Sequence, residues 1–301
     1  MKLEFGLGIS TESNRPMHPT DRWQNWQKGF VLPRPEWQTS FPLGNHLLRA
    51  QSWGQGEPLL LVPGLAGGLP LMAPLVRELK QDFRVIGVEV REEHRVIGHR
   101  KRYDLVDLAD DLVGIMDRLK LEAPTVLGVS FGGVLGMEAA LRHPARIRRL
   151  VLQGVGSFFE NGLIPKVAQW ILPNIPLPTN KPGINQFFKL LFGKNWPDRD
   201  LFDAAVRQCW QTDQGVMCER LNLARRFDWR DRLSDLPVPV LALRGDRDVM
   251  VSKSCCLDLA KRLPSGVFRE LVGGGHMAFA THPAQMAREV VRFASMQVQA
   301  A

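Results

Sequence analysis

Gly128-Val129-Ser130-Phe131-Gly132-Gly133 decides how this chain of 301 residues is read. A mostly apolar, strand-like run from Ala123 to Leu127 precedes it and a helical stretch beginning near Val134 follows, so the six residues occupy a strand-to-helix turn. A G-x-S-x-G turn of this kind holds its serine in a strained conformation at the end of a strand. It tolerates no side chains at the flanking positions, where they would collide with the strand or the helix. Ser130 then presents its hydroxyl at the positive end of a helix, placed for nucleophilic attack. In a chain with 27 glycines the pattern alone is a weak signal, and its weight comes from its surroundings.

Those surroundings alternate. The runs Trp37 to Phe41 and His46 to Trp53 flank Pro42-Leu43-Gly44-Asn45 and read as an antiparallel hairpin. Short apolar strands follow at Leu59 to Val62, Val85 to Val90, Thr125 to Val129, Ile147 to Leu152, Val238 to Leu243 and Val267 to Leu271. Between them lie helical patterns: one ending near Lys80, Leu105 to Leu119, Val134 to Arg142, and Ala284 to Phe293. This alternation implies a mostly parallel sheet covered on both faces. Residues 1–39, rich in Trp, Gln and Pro, read as an irregular N-terminal arm packed by its aromatics. Residues 157–235 break the rhythm with Phe158, Phe159, Trp170, Phe187, Phe188, Phe192, Trp196, Phe202 and Trp210. They read either as an inserted helical cap over a sheet edge or as helices that simply cover the core. The core proper is then 40–156 joined to 236–301.

Composition narrows the classes. An apolar content of 45% with 23% charge is that of a globular protein. Pro58 to Val76 is uncharged over a length that could suggest a membrane span, but Pro63, Pro70, Pro74, Gly64, Gly67 and Gly68 interrupt it, so it reads as strand, loop and helix, and no stable membrane insertion is expected. No secretory signal pattern opens the sequence, and the four cysteines lack C-x-x-C spacing, so a cytoplasmic location is expected. The net charge of +8 is spread along the chain, with one local cluster at His99-Arg100-Lys101-Arg102; no aromatic-interleaved basic stripe points to nucleic acid. There is no H-E-x-x-H and no G-x-G-x-x-G, so neither a metal nor a cofactor is expected.

A serine hydroxyl needs an imidazole to take its proton, and the imidazole needs a carboxylate to hold its tautomer. Open parallel sheets carry their chemistry at the carboxyl ends of their strands. Two loops qualify. Arg244-Gly245-Asp246-Arg247-Asp248 follows one predicted strand with two carboxylates, and Gly273-Gly274-Gly275-His276 follows the next with an imidazole. Serine, acid and histidine thus occur in that order at successive strand ends.

From about Ser40 to Met296 the chain resembles the α/β-hydrolase superfamily. The resemblance rests on Leu59-Leu60-Leu61-Val62-Pro63-Gly64-Leu65, the Ser130 turn, His143-Pro144-Ala145-Arg146-Ile147-Arg148-Arg149-Leu150-Val151-Leu152, Gly245-Asp246-Arg247-Asp248 and Gly275-His276. It implies an eight-stranded, mostly parallel sheet with helices on both faces and a helical cap. It selects Asp248 over Asp246 as the acid, leaving Asp246 as a turn-stabilising carboxylate. It also implies an oxyanion hole formed by the backbone N–H groups of Phe131 and Leu65. Two departures stand out. Many members have His-Gly where this chain has Pro63-Gly64, so any hydrogen bonds made by that histidine must be replaced. Many also have an Asp and a G-x-G-x-S turn where this chain reads Val88-Glu89-Val90-Arg91-Glu92-Glu93-His94.

The expected activity is that of a serine hydrolase with Ser130 as nucleophile, His276 as base and Asp248 as its orienting acid, acting on a small-molecule carboxylic ester of hydrophobic character. Lactone, thioester and carbon–carbon bond hydrolysis and peracid formation use the same machinery. A ligand-binding receptor on the same fold is the alternative from another class.

Overall fold

A computed structural model describes residues 30–43, 46–89, 103–177, 182–193 and 199–296. Eight strands form one sheet: β1 (Trp37–Leu43), β2 (His46–Trp53), β3 (Pro58–Val62), β4 (Arg84–Val88), β5 (Thr125–Val129), β6 (Arg149–Gln153), β7 (Val240–Gly245) and β8 (Gly266–Leu271). Their order across the sheet is β1-β2-β4-β3-β5-β6-β7-β8. β2 pairs antiparallel with β1 and β4, and every other pair is parallel. The expected hairpin is present, and its first strand runs on through Pro42 and Leu43. β1 is an edge strand, where a residue without an N–H costs no ladder bond on its open side.

Burial alternates along the central strands with a period of two. Leu60, Val62, Val126, Leu150 and Leu152 enter one apolar cluster, and Leu59, Leu61, Leu127, Val129 and Val151 enter the other. Both faces are covered, which is why the strands read as unbroken apolar runs. The first face packs against α3 (Leu105–Arg118) and α4 (Phe131–Arg142). The second packs against α2 (Ala73–Leu79), which follows the short α1 (Gly68–Leu71), and against the C-terminal α11 (Pro283–Ser295). Each fully buried Leu or Val side chain contributes about 1.5–3 kcal/mol relative to exposure. α3 starts at a capping box, in which Asp107 N donates to Asp104 Oδ1 at 2.9 Å and Asp104 N to Asp107 Oδ2 at 3.0 Å.

Two strands start later than the sequence pattern suggests. β6 begins at Arg149 because Pro144–Arg146 forms a 3-10 turn that still takes up Ile147, and β7 begins at Val240, directly after Pro239. Between β6 and β7 come α5 (Leu163–Asn174), α6 (Pro182–Phe192), α7 (Arg199–Cys209) and α8 (Gln214–Ala224). This excursion opens and closes on itself: Phe158 and Asp228 form an antiparallel bridge, and Trp229 N donates to Ser157 O at 3.0 Å. α9 (Lys253–Arg262) follows β7, and α10 (Ala278–Thr281) precedes α11. Phe30 is buried, whereas Trp37 is 43% exposed and belongs to β1. Trp23, Trp26, Trp196, Gly44-Asn45 and the His99 to Arg102 cluster lie outside the described residues, as does the departure at 90–94. Among the described residues no helix is long and apolar enough to cross a membrane.

Candidate active site

The parallel register brings the strand ends to one edge. Val62 is level with Gly128, Val129 with Gln153, Gln153 with Leu243, and Gly245 with Leu271. Whatever follows β3, β5, β6, β7 and β8 therefore converges.

Ser130 has φ 49° and ψ −114°; among the described residues Lys120 is the only other non-glycine with positive φ. Such backbone strain persists only where its surroundings enforce it. Ser130 N donates to Gln153 O at 2.8 Å, and Ser130 O accepts from Gly133 N at 2.9 Å and Val134 N at 3.1 Å. The glycines are required by contact. A Cβ on Gly128 would lie 2.4 Å from Gly132 O, and one on Gly132 would lie 2.3 Å from Val62 O. α4 thus begins at Phe131, immediately behind the serine, and not at Val134; the low helix propensity of two glycines conceals its first turn in the sequence.

Ser130 Oγ lies 3.0 Å from His276 Nε2, and His276 Nδ1 lies 2.9 Å from Asp248 Oδ2. The Asp248 side chain is fully buried, with its other oxygen accepting from Met250 N at 2.8 Å and Val251 N at 3.1 Å. Burial of His276 pulls its pKa down, but the charge of Asp248 and the hydrogen bond to it prevail and leave it raised. Asp246 faces away from this line: its Oδ1 accepts from Gly273 N at 2.8 Å and so ties the acid loop to the histidine loop.

Three supporting residues carried no recognised signal in the sequence. Arg244 donates to Asp248 O and to Val251 O, both at 2.8 Å, bracing the acid loop. Gln153 Nε2 donates to His276 O at 3.0 Å. Gly154, with φ 68°, underlies the imidazole; a Cβ there would lie 2.9 Å from His276 Cε1. A charged or amide residue closing an otherwise apolar buried strand is the trace that Arg244 and Gln153 leave, and it is legible only once the strand ends are known to converge.

Ser130 and His276 open into a cavity of about 210 Å³. Gly64, Leu65 and Phe131 line it beside the serine, and the segment between β6 and β7 supplies Ile171, Phe187, Phe188, Trp210, Met217 and Leu221. Its wall is overwhelmingly apolar. The N–H groups of Leu65 and Phe131 have no protein acceptor among the described residues. Cys209 also lines the cavity, but burial pushes its thiol up to about 12, which keeps it protonated and a poor nucleophile. His143 pairs with Asp110 at 2.8 Å on the surface, and His282 contacts Thr281. Among the described residues no group of three His, Cys, Asp or Glu could hold a metal ion.

Comparison with known proteins agrees with this architecture. The sequence profile of the α/β hydrolase fold matches residues 57–283. A provisionally named carbamate hydrolase, RutD, from Caulobacter segnis is 30% identical over 251 residues, which cover 79% of this chain and 91% of RutD. The crystal structure of the enol-lactonase from Burkholderia xenovorans superposes with a TM-score of 0.76 at 20% identity, over 86% of this chain and 100% of that one. A hydrolase from Pseudomonas aeruginosa gives 0.74 at 18% identity, over 86% of this chain and 98% of that one. The sheet order, the profile match and the RutD relationship together make this chain a member of the α/β-hydrolase family, and a hydrolase.

Proposed function

We propose that the protein cleaves uncharged, hydrophobic carboxylic esters through an acyl-enzyme on Ser130. The observation that carries this reading is the unbroken line Ser130 Oγ, His276 Nε2, His276 Nδ1, Asp248 Oδ2, with steps of 3.0 Å and 2.9 Å, opening into an apolar cavity. Ser130 Oγ attacks the ester carbonyl while His276 Nε2 takes its proton. The carbonyl oxygen becomes an oxyanion held by the Leu65 and Phe131 amides, and buried Asp248 stabilises the imidazolium. As the tetrahedral intermediate collapses, His276 returns the proton to the departing alcohol. Water enters with His276 again as base, and hydrolysis regenerates Ser130. Residues 157–235 serve as a cap whose aromatic wall selects the acyl or alcohol group. The cavity offers little to pair a substrate charge, which disfavours anionic esters.

Carbamate hydrolysis is the second reading, favoured by the RutD relationship. The same attack on a carbamate leaves a carbamyl-enzyme, and nitrogen donation into its carbonyl slows the second step. A fluorophosphonate probe and a series of aryl esters from two to twelve carbons, run beside aryl carbamates, test both. We expect covalent labelling of Ser130, ester turnover that rises with chain length until the cavity is filled, and slower carbamate turnover. Absence of labelling in folded protein excludes the acyl-enzyme, and faster carbamate than ester turnover transfers the assignment to carbamates.

A further inference from the structure

The loop after β3 brings Leu65 to the nucleophile: a Cβ on Gly64 would sit 3.7 Å from Ser130 Cβ. Its own sequence, Pro63-Gly64-Leu65-Ala66-Gly67-Gly68, contains no side chain that can hydrogen-bond it into shape, and Pro63 also lacks an N–H. The polar side chains that grip it come from about 140 residues further along. Gln208 Nε2 donates to Gly67 O at 3.0 Å, Gly67 N donates to Thr212 Oγ1 at 2.9 Å, and Arg220 Nη1 donates to Leu65 O at 3.1 Å. Gln208 lies in the last turn of α7, Thr212 in the turn after it, and Arg220 on α8. Arg220 is fully buried, and its guanidinium lies 5.9 Å from the centre of the Phe131 ring, on the residue that carries the second amide.

We infer that Gln208, Thr212 and Arg220 are positioning residues that hold the oxyanion hole in shape, doing from the inserted helices what the loop cannot do for itself. The inference rests on the acyl-transfer reading of Ser130. Its physical basis is the rigidity of the peptide plane. Fixing Leu65 O fixes the plane of the Leu65–Ala66 bond. Fixing both polar groups of Gly67, which sits at φ 81° where a Cβ would lie 2.6 Å from Leu71 Cδ2, fixes the two planes beyond it. At the other end Gly64 lies close against β5, where a Cβ would sit 3.3 Å from Val129 O and 3.7 Å from Ser130 Cβ. The Leu65 amide between these anchors then needs no reorganisation when charge develops on the substrate oxygen, the condition under which such donors are most effective. Burying a guanidinium is costly unless its donors are used, and here one is spent on a main-chain carbonyl beside the reacting serine. It follows that the α7–α8 half of the insertion is a fixed wall of the site, since lifting it would undo the hole.

The test compares Thr212→Val and Arg220→Met with their conservative counterparts Thr212→Ser and Arg220→Lys. Four readouts are taken: kcat and KM on an aryl ester, Ki for a trifluoromethyl ketone whose adduct with Ser130 carries an oxyanion, amide hydrogen exchange over residues 63–68, and fluorophosphonate labelling of the unaltered enzyme. Losing orientation of one donor should lower kcat about tenfold in Thr212→Val and about 100-fold in Arg220→Met, with KM within about twofold. Ki should rise in the same proportion, exchange over 63–68 should accelerate, and Thr212→Ser should restore all three. Unchanged exchange in folded Thr212→Val and Arg220→Met overturns the positioning role whatever the activity does. Loss of kcat without a matching loss of ketone affinity overturns it as well. Failure of the unaltered enzyme to label sinks the acyl-enzyme reading separately.

Discussion

Two loops flank the candidate active site, and they are built by opposite means. The Ser130 turn is held by its own neighbourhood: its glycines allow the strand and helix to touch, and its carbonyl accepts from Gly133 and Val134. The Gly64 to Gly67 loop is held by side chains of Gln208, Thr212 and Arg220, which are distant in the chain and adjacent in space. One is a local device whose code is compact. The other depends on a complete insertion being folded in place.

The largest effects should come from the local device. On the proposed mechanism Ser130→Ala removes the nucleophile, and turnover of an aryl ester should fall about 10⁶-fold while the circular dichroism spectrum is unchanged. Retained turnover in pure variant would locate the nucleophile elsewhere. Asp248→Asn keeps the shape but loses the charge that holds the His276 tautomer, and kcat should drop about 10⁴-fold. Gly132→Ala attacks the same turn through its packing: with a Cβ placed 2.3 Å from Val62 O and 2.4 Å from Pro63 O, stability should fall by about 3 kcal/mol or more in urea unfolding. A stable, active Gly132→Ala would show that the elbow is less tightly built than its contacts indicate, and would erase the contrast with the Gly64 to Gly67 loop.

Acidity should act on the shared imidazole. In the proposed mechanism His276 must be neutral to accept the serine proton, so the rate should fall about tenfold per pH unit below its pKa. Because that pKa is raised above the ordinary 6.5, the acid limb should lie above that of a free histidine. The linkage runs the opposite way: a raised folded-state pKa stabilises the fold below the unfolded value, and this contribution is lost as pH rises through the folded one. The enzyme thus works where that stabilisation is absent. In Asp248→Asn the limb should move to lower pH, and an unmoved limb would assign the titration to another group. The smallest effect is expected at Asp246→Ala, which cuts one exposed tie to Gly273 N and should cost about 1 kcal/mol with little loss of kcat. A loss comparable to that of Asp248→Asn would reverse the roles of the two carboxylates.

Much of this was legible in the sequence. The six strands β3 to β8 left apolar runs, β1 and β2 were marked by the Pro42 to Asn45 turn between them, and Ser130, Asp248 and His276 each follow the end of a strand pattern. The helices α3 and α11 also left their spacing, since each covers one face of the sheet with a 3.6-residue stripe, whereas α4 is buried on all sides from Phe131 to Ala140 and was located by its place after the Ser130 turn. Other features left no trace that could be read in advance. The first turn of α4 was hidden because Gly132 and Gly133 are poor helix formers chosen for contact. The start of β7 was misplaced because Pro239 sits inside a run of uniform hydrophobicity. Arg244 and Gln153 looked like ordinary polar residues at strand ends, and although residues 157–235 read as an inserted helical cap or as core-covering helices, the bonds they make to the β3 loop had no local signature.

By itself, then, the sequence determined the sheet, the elbow and the order of serine, acid and histidine, because those depend on periodicity and on glycines a few residues apart. Only the tertiary structure decided that Gln153 and Arg244 would brace the imidazole and the acid, and that Gln208, Thr212 and Arg220 would hold the loop carrying Leu65. These are single hydrogen bonds across large sequence separations. No local pattern encodes them, since each exists only after the core has packed and its polar groups must find partners away from water.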